Sequence, residues 1–115
     1  MKVKFTLDGL REELSKGLNR VEILIKVEPR GERGELYTIN IYAVPKLPFL
    51  QEVLGTPHIG GIIAESEVDG IYEADLWEVW RNVKNGGKAA FALDQRCKKL
   101  IERLRELAIE ESFQG

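Results

Sequence analysis

The chain has 115 residues, enough for one domain that buries its own hydrophobic core. A net charge of −2 argues against a dedicated nucleic-acid-binding composition, and a single cysteine excludes an internal disulfide framework. No stretch reaches the ~18–20 apolar residues of a membrane span, and no signal-like segment begins the chain, so we expect a cytoplasmic protein without a membrane partner. The charged fraction of 31% exceeds the ~25% that is typical, which favours a thermophile-like protein.

The first half of the chain predicts a strand, a helix and a β-hairpin. Residues 3–7 alternate as a strand does, and leucines at helical spacing then follow Asp8, which we take as the N-cap. Apolar residues alternate over 21–27 and again over 37–43. The polar, glycine-containing stretch 29–34 between them is typical of a hairpin turn.

The second half predicts further short elements. Pro48 begins a short helix that Gly55 ends. A strand follows from Gly60 to about residue 69. Asp75-Leu-Trp-Glu78 resembles a capping box, so a helix is expected to about residue 84, where Asn85-Gly86-Gly87 predicts a turn.

These elements predict a single α+β domain over residues 1–115. Their order is β-α-β-β-α-β followed by two helices, which is the ferredoxin-like split topology with a helical extension. The alternative is a sheet built on the central β-hairpin and packed by helices. Either fold hosts many functions, so function has to be argued from particular residues.

The C-terminal segment 88–112 predicts a long amphipathic helix with one apolar stripe. Along one edge of that stripe the bases come first and the acids last, which opposes the helix macrodipole. An antiparallel neighbour of identical sequence would place each basic half against an acidic half. We therefore predict a homo-oligomer, with a dimer favoured, and the alternative is a helix that packs on its own sheet. The predicted interface residues are Leu100, Leu104, Leu107, Arg96, Lys99, Arg103, Glu106 and Glu110.

A second candidate surface lies at the start of the preceding helix. Trp77 falls at the margin of a predicted buried stripe that includes Trp80, and an exposed aromatic ring beside bases can stack on a nucleobase or anchor a protein partner. The simpler interpretation is a cation–π contact of Arg81 with Trp77. Residues 79–105 carry a charge of +6, but the six acids of residues 65–78 argue against nucleic acid. The predicted contact residues are Trp77, Arg81, Lys84 and Lys88.

The remaining candidates are residues that can bind metals or transfer protons but lack the partners of a known catalytic or metal-binding motif. Glu65, Glu67 and Asp69 would share one face of a strand, where three carboxylates could bind a divalent cation or simply be solvated. His58 is the only histidine and has no identifiable catalytic partner. Cys97 falls on an apolar stripe and is predicted to be a core residue.

The sequence therefore predicts a non-enzymatic domain that acts by self-association or protein partner binding, in a regulatory or scaffolding role. No catalytic residue and no cofactor is predicted. A nucleic-acid-binding protein that uses the basic face of residues 77–105 is the second interpretation. A metal-dependent enzyme built on the carboxylates is the third.

Overall fold

A computed structural model describes residues 1–66 and 69–114, with side chains through residue 108. The described residues form one five-stranded sheet and three helices. In chain order these are β1 (Lys2–Thr6), α1 (Leu7–Leu14), β2 (Val21–Arg30), β3 (Leu36–Pro45), α2 (Pro48–Leu54), β4 (His58–Ser66), β5 (Ile71–Asp75) and α3 (Leu76–Gln114).

The sheet is antiparallel throughout, with the strand order β1-β5-β4-β3-β2. The predicted α+β class is confirmed, and so is the predicted hairpin, in which β2 pairs with β3 along its whole length. The ferredoxin-like arrangement is not confirmed, because β1 and β2 lie at opposite edges of the sheet. The reason is β5, a strand that the sequence did not predict, which gives β1 its only neighbour among the described strands.

The hydrophobic core lies between one face of the sheet and the helices. Strand alternation directs every second side chain of β2, β3 and β4 to this inner face, where α1, α2 and α3 cover it. Cys97 is fully buried, as predicted, and burial raises the pKa of its thiol above the ordinary value. The buried hydrophobic residues are Leu10, Leu14, Val21, Ile23, Ile39, Ile41, Ala43, Leu50, Ile62, Ala64, Ala74, Ala90, Leu93 and Cys97.

The start of α1 differs from the prediction. The N-cap is Thr6, whose hydroxyl accepts a hydrogen bond of 3.0 Å from the backbone N–H of Gly9. Asp8, the predicted cap, lies in the first turn instead and pairs with Arg11 at 2.9 Å. An acidic residue is favourable there as well, because it faces the positive end of the helix.

The C-terminal third is one continuous helix, so the predicted division into two helices at residues 85–87 is wrong. The cap at Asp75 is present, since its carboxylate accepts from the backbone N–H groups of Trp77 and Glu78. Gly86 is buried, and a Cβ atom there would lie 3.3 Å from the backbone oxygen of Ile59. The glycine therefore lets α3 approach β4 closely and does not end the helix.

Side chains of α3 cover the part of the β4 edge that β5 does not pair. The N–H of Ile63 donates to Glu78 at 3.1 Å, and the N–H of Gly61 donates to Asn82 Oδ1 at 2.9 Å. Glu78 and Asn82 are four residues apart on the helix, a rise of about 6 Å, and Ile63 and Gly61 are two residues apart on the strand, about 6.6 Å. Because these two distances nearly match, both hydrogen bonds form together and fix which face of α3 lies against the sheet.

A buried aspartate joins α3 to the loop between α1 and β2. Asp94 is fully buried, and its Oδ1 accepts from the backbone N–H groups of Asn19, Arg20 and Val21 at 2.9, 2.7 and 3.0 Å. Its Oδ2 has no hydrogen-bond partner among the described residues. Three convergent N–H donors stabilise the carboxylate and hold the loop in place.

Candidate functional site

The helix α3 is longer than the body of the protein that supports it. Its 39 residues span about 58 Å at 1.5 Å per residue, and the longest dimension of the molecule is 64 Å. Among the α3 side chains that the structure describes, through residue 108, the last to pack against the core are those of Leu100 and Ile101. Residues 102–114, called the projecting segment below, continue the helix for about 20 Å beyond this point.

The projecting segment extends the apolar stripe of α3 into solvent. Leu104 is 47% exposed and Leu107 is 50% exposed, whereas Leu100 is half-buried against the core. The predicted interface leucines are thus divided between a packing role and an exposed one. The stripe begins beside α2, at a shallow cleft lined by Val53, Leu54, Leu100, Arg96 and Lys99.

The charged residues predicted at the interface lie on the exposed surface of α3 as far as their side chains are described. Arg96, Lys99, Arg103 and Glu106 are all exposed, and none forms an ion pair with another described residue. The side chain of Glu110, also predicted at the interface, lies outside the described part of the chain. Arg96 and Lys99 therefore border the cleft where the stripe begins, whereas Glu106, two residues after Leu104, lies about 160° around the helix from it.

The opposite side of α3 carries exposed aromatic rings. Trp77, Trp80 and Phe91 are 68%, 50% and 50% exposed, so the predicted burial of Trp80 is wrong. The two indole rings meet edge to face at 5.8 Å, and Lys84 Nζ lies 4.7 Å from the centre of the Trp80 ring. This lysine contact takes the place of the Arg81–Trp77 contact suggested by the sequence.

Exposed bases follow the indole rings along α3, whereas the acids Asp75 and Glu78 flank Trp77 and accept from backbone N–H groups. Between residues 79 and 101 of α3 the only acid is Asp94, and its carboxylate is buried against the α1–β2 loop. The six bases of the same stretch are all exposed, and none forms an ion pair with another described residue; they are Arg81, Lys84, Lys88, Arg96, Lys98 and Lys99. We call the surface formed by Trp77, Trp80, Lys84, Lys88 and Phe91 the aromatic–basic face.

His58 belongs to a small cluster on the outer face of the sheet. Its Nε2 lies 2.9 Å from Asn40 Oδ1, and the centre of its ring lies 5.2 Å from that of Tyr42. Lys26 Nζ lies 5.5 Å from the centre of the Tyr42 ring. The pairing of β3 with β4 brings these residues together, which no local sequence pattern reveals. An amide orients the imidazole but does not relay a proton, so the cluster offers little for acid–base catalysis.

Glu65 and Asp69 of the predicted carboxylate cluster do not share a strand face. β4 ends at Ser66, Glu67 lies outside the described residues, and Asp69 occupies a turn at φ 59°. Glu65 pairs with Lys2 at 3.1 Å, and this hydrogen bond raises the pKa of the lysine. Within residues 1–66 and 69–114 no three potential ligands are grouped to hold a metal ion.

Comparisons with protein-family models, curated proteins and solved structures find no match to this chain. None of the described helices is long and apolar enough to cross a bilayer. The candidate functional sites are therefore two surfaces of α3, the apolar stripe of the projecting segment and the aromatic–basic face.

Proposed function

We propose that the protein is a non-enzymatic association module, in which the projecting segment pairs with the same segment of a second copy. One observation supports this most directly: α3 continues for 13 residues beyond the last core contact among its described side chains, with Leu104 and Leu107 about half exposed. Residues 102–114 extend a helix that the core already holds, so what the segment lacks is packing for its apolar stripe, the usual source of helix stability in proteins. A second copy would supply that packing.

The charge order favours an antiparallel pair. If two projecting segments cross near Leu104, Arg103 of one copy approaches Glu106 of the other. A parallel pair would instead place bases against bases. Exposed ion pairs contribute only about 0.2–1 kcal/mol each, so these charges select the orientation while the leucines supply the affinity.

The proposed role is regulatory or scaffolding, in the cytoplasm. A dimer joined through the projecting segments would hold two sheets apart at the ends of a helical connection. The two outer sheet faces and the two aromatic–basic faces would remain accessible in that arrangement. Such an assembly would present paired surfaces to partners rather than enclose an active site.

The test is the mass of the purified protein by size-exclusion chromatography with light scattering. The wild type is expected to be a dimer, and Leu104→Asp is expected to be a folded monomer because the carboxylate would be desolvated at the interface. Leu24→Asp is the matched control, since Leu24 is 44% exposed on the outer face of the sheet, away from α3. Circular dichroism confirms that each variant is folded, and Leu107→Asp repeats the test at a second position.

Charge exchange then tests the orientation. Arg103→Glu alone should weaken the dimer, and Arg103→Glu with Glu106→Arg should restore it. A wild-type monomer at all concentrations, or a Leu104→Asp dimer, would contradict the proposal. A double variant no tighter than Arg103→Glu would contradict the antiparallel pairing.

A further inference from the structure

The aromatic–basic face is separate from the surface proposed for self-association. Lys84 and Leu104 are 20 residues apart on one helix, which places them roughly 160° apart around its axis. A partner on one side would leave the other side open. A ligand on the aromatic–basic face can therefore bind whether or not the proposed dimer forms.

We propose that the aromatic–basic face binds single-stranded nucleic acid. Its residues span about 21 Å of helix, with two rings, Trp77 and Trp80, at one end, Lys84 and Lys88 in the middle, and Phe91 at the other end. Stacking of a nucleobase on an exposed ring contributes about 1–3 kcal/mol, and lysines between the rings can contact the connecting phosphates. The face thus holds aromatic rings for stacking on nucleobases and lysines for binding phosphates, the two kinds of group that single-stranded nucleic acid requires.

The local charge supports this partner despite the net charge of the chain. Three exposed bases, Arg81, Lys84 and Lys88, lie among the rings, and α3 carries no acid between residues 79 and 93. Local potential, rather than net charge, attracts a polyanion at distances within about 10 Å at moderate salt. Unstacked bases are required for stacking on these rings, which favours a single strand over a duplex.

The arrangement fits a nucleic acid better than a lipid surface. A helix that lies on a membrane segregates an apolar face from its bases. Here Lys84 lies on the same face as the rings and contacts Trp80 directly. Burial of that face in lipid would desolvate the lysine, whereas a phosphate would pair with it.

Intrinsic fluorescence tests the proposal directly, because both tryptophans of the chain lie on this face. The probe is an oligothymidylate of about 15 nucleotides, within the size range that such sites cover. Saturable quenching at low salt is expected, with affinity that falls as salt rises. An oligonucleotide in duplex form should bind more weakly.

The decisive comparison is between two charge-matched double variants. Lys84→Glu with Lys88→Glu should reduce affinity at least about tenfold and lower the slope of log affinity against log salt by about 1.4, at about 0.7 per phosphate contact. Arg33→Glu with Lys46→Glu makes the same charge change at exposed positions outside α3, and should retain nearly all of the affinity. Leu104→Asp should also bind normally, which separates this test from that of the dimer.

Several results would overturn the proposal. These are no quenching at low salt, equal affinity for the duplex, or equal losses in the two double variants. A blue shift with vesicles of equal parts phosphatidylcholine and phosphatidylserine, without quenching by the oligonucleotide, would assign the face to a lipid surface instead.

Discussion

Replacement of Asp94 by alanine should destabilise the fold more than any single change on its surface. The Oδ1 atom accepts one buried N–H, from Val21, and two part-buried ones, from Asn19 and Arg20. Loss of a charge-assisted acceptor for the buried N–H costs about 2–3 kcal/mol, and loss of each part-buried bond about 0.5–1 kcal/mol because water replaces it. The sum is about 3–5 kcal/mol. A chain of this size has about 6–17 kcal/mol of stability, so the loss is a large fraction of the total.

The assay is urea unfolding followed by circular dichroism, with Asp94→Asn as the matched variant. Asparagine keeps the shape and one carbonyl oxygen, so it should cost about 1–2 kcal/mol, less than alanine. The dependence on urea concentration should keep its slope in both variants. An alanine variant that loses less than about 1 kcal/mol, or that equals the asparagine variant, would refute the reasoning that three N–H groups depend on this carboxylate.

Three further predictions concern α3 and the strand beside it. Gly87→Ala should raise the free energy of unfolding by about 0.5–1 kcal/mol, since a Cβ there meets nothing within 4 Å. Gly86→Ala should not raise it, because its Cβ would press on the backbone oxygen of Ile59; thermal unfolding compares the two variants. Asn82→Ala should speed amide hydrogen exchange at Gly61, which loses its acceptor, with stability lowered by about 1 kcal/mol. Cys97 should resist alkylation until the protein unfolds. Burial raises the pKa of its thiol, so above the ordinary thiol pKa the unfolded state loses the proton first, and the free energy of unfolding should fall as pH rises.

The parts of the fold that the sequence predicted are those with a local physical signal. The hairpin of β2 and β3 alternates apolar and polar residues over most of its length, and α2 is bounded by Pro48 and Gly55. β5 was missed because two of its five residues are acids and most of its residues are only partly buried, so it lacks a clear alternation of apolar and polar residues. Without β5 the position of β1 in the sheet could not be predicted, because β1 has no other partner among the described strands.

The candidate surfaces depend on contacts between distant residues. A glycine pair usually ends a helix, and only the approach of β4 explains why Gly86 continues one. The hydrogen bonds from Ile63 and Gly61 fix the rotation of α3, and that rotation exposes Trp80. The signal for Asp94 was present in the sequence as a lone acid on an apolar helical face within a basic stretch. Its partners at residues 19–21 were not visible.

The hydrogen bonds to Asp94 also have a consequence for biosynthesis. They join residues up to 75 positions apart, and β1 pairs with β5, which follows it by about 70 residues. The hairpin of β2 and β3 can form as soon as it leaves the ribosome, but β1 gains its strand partner and α1 its contacts with α3 only after most of the chain has been made. The nascent protein therefore exposes the apolar side of its hairpin during translation, and a product truncated before residue 94 would retain that exposure and become a substrate for chaperones or proteases.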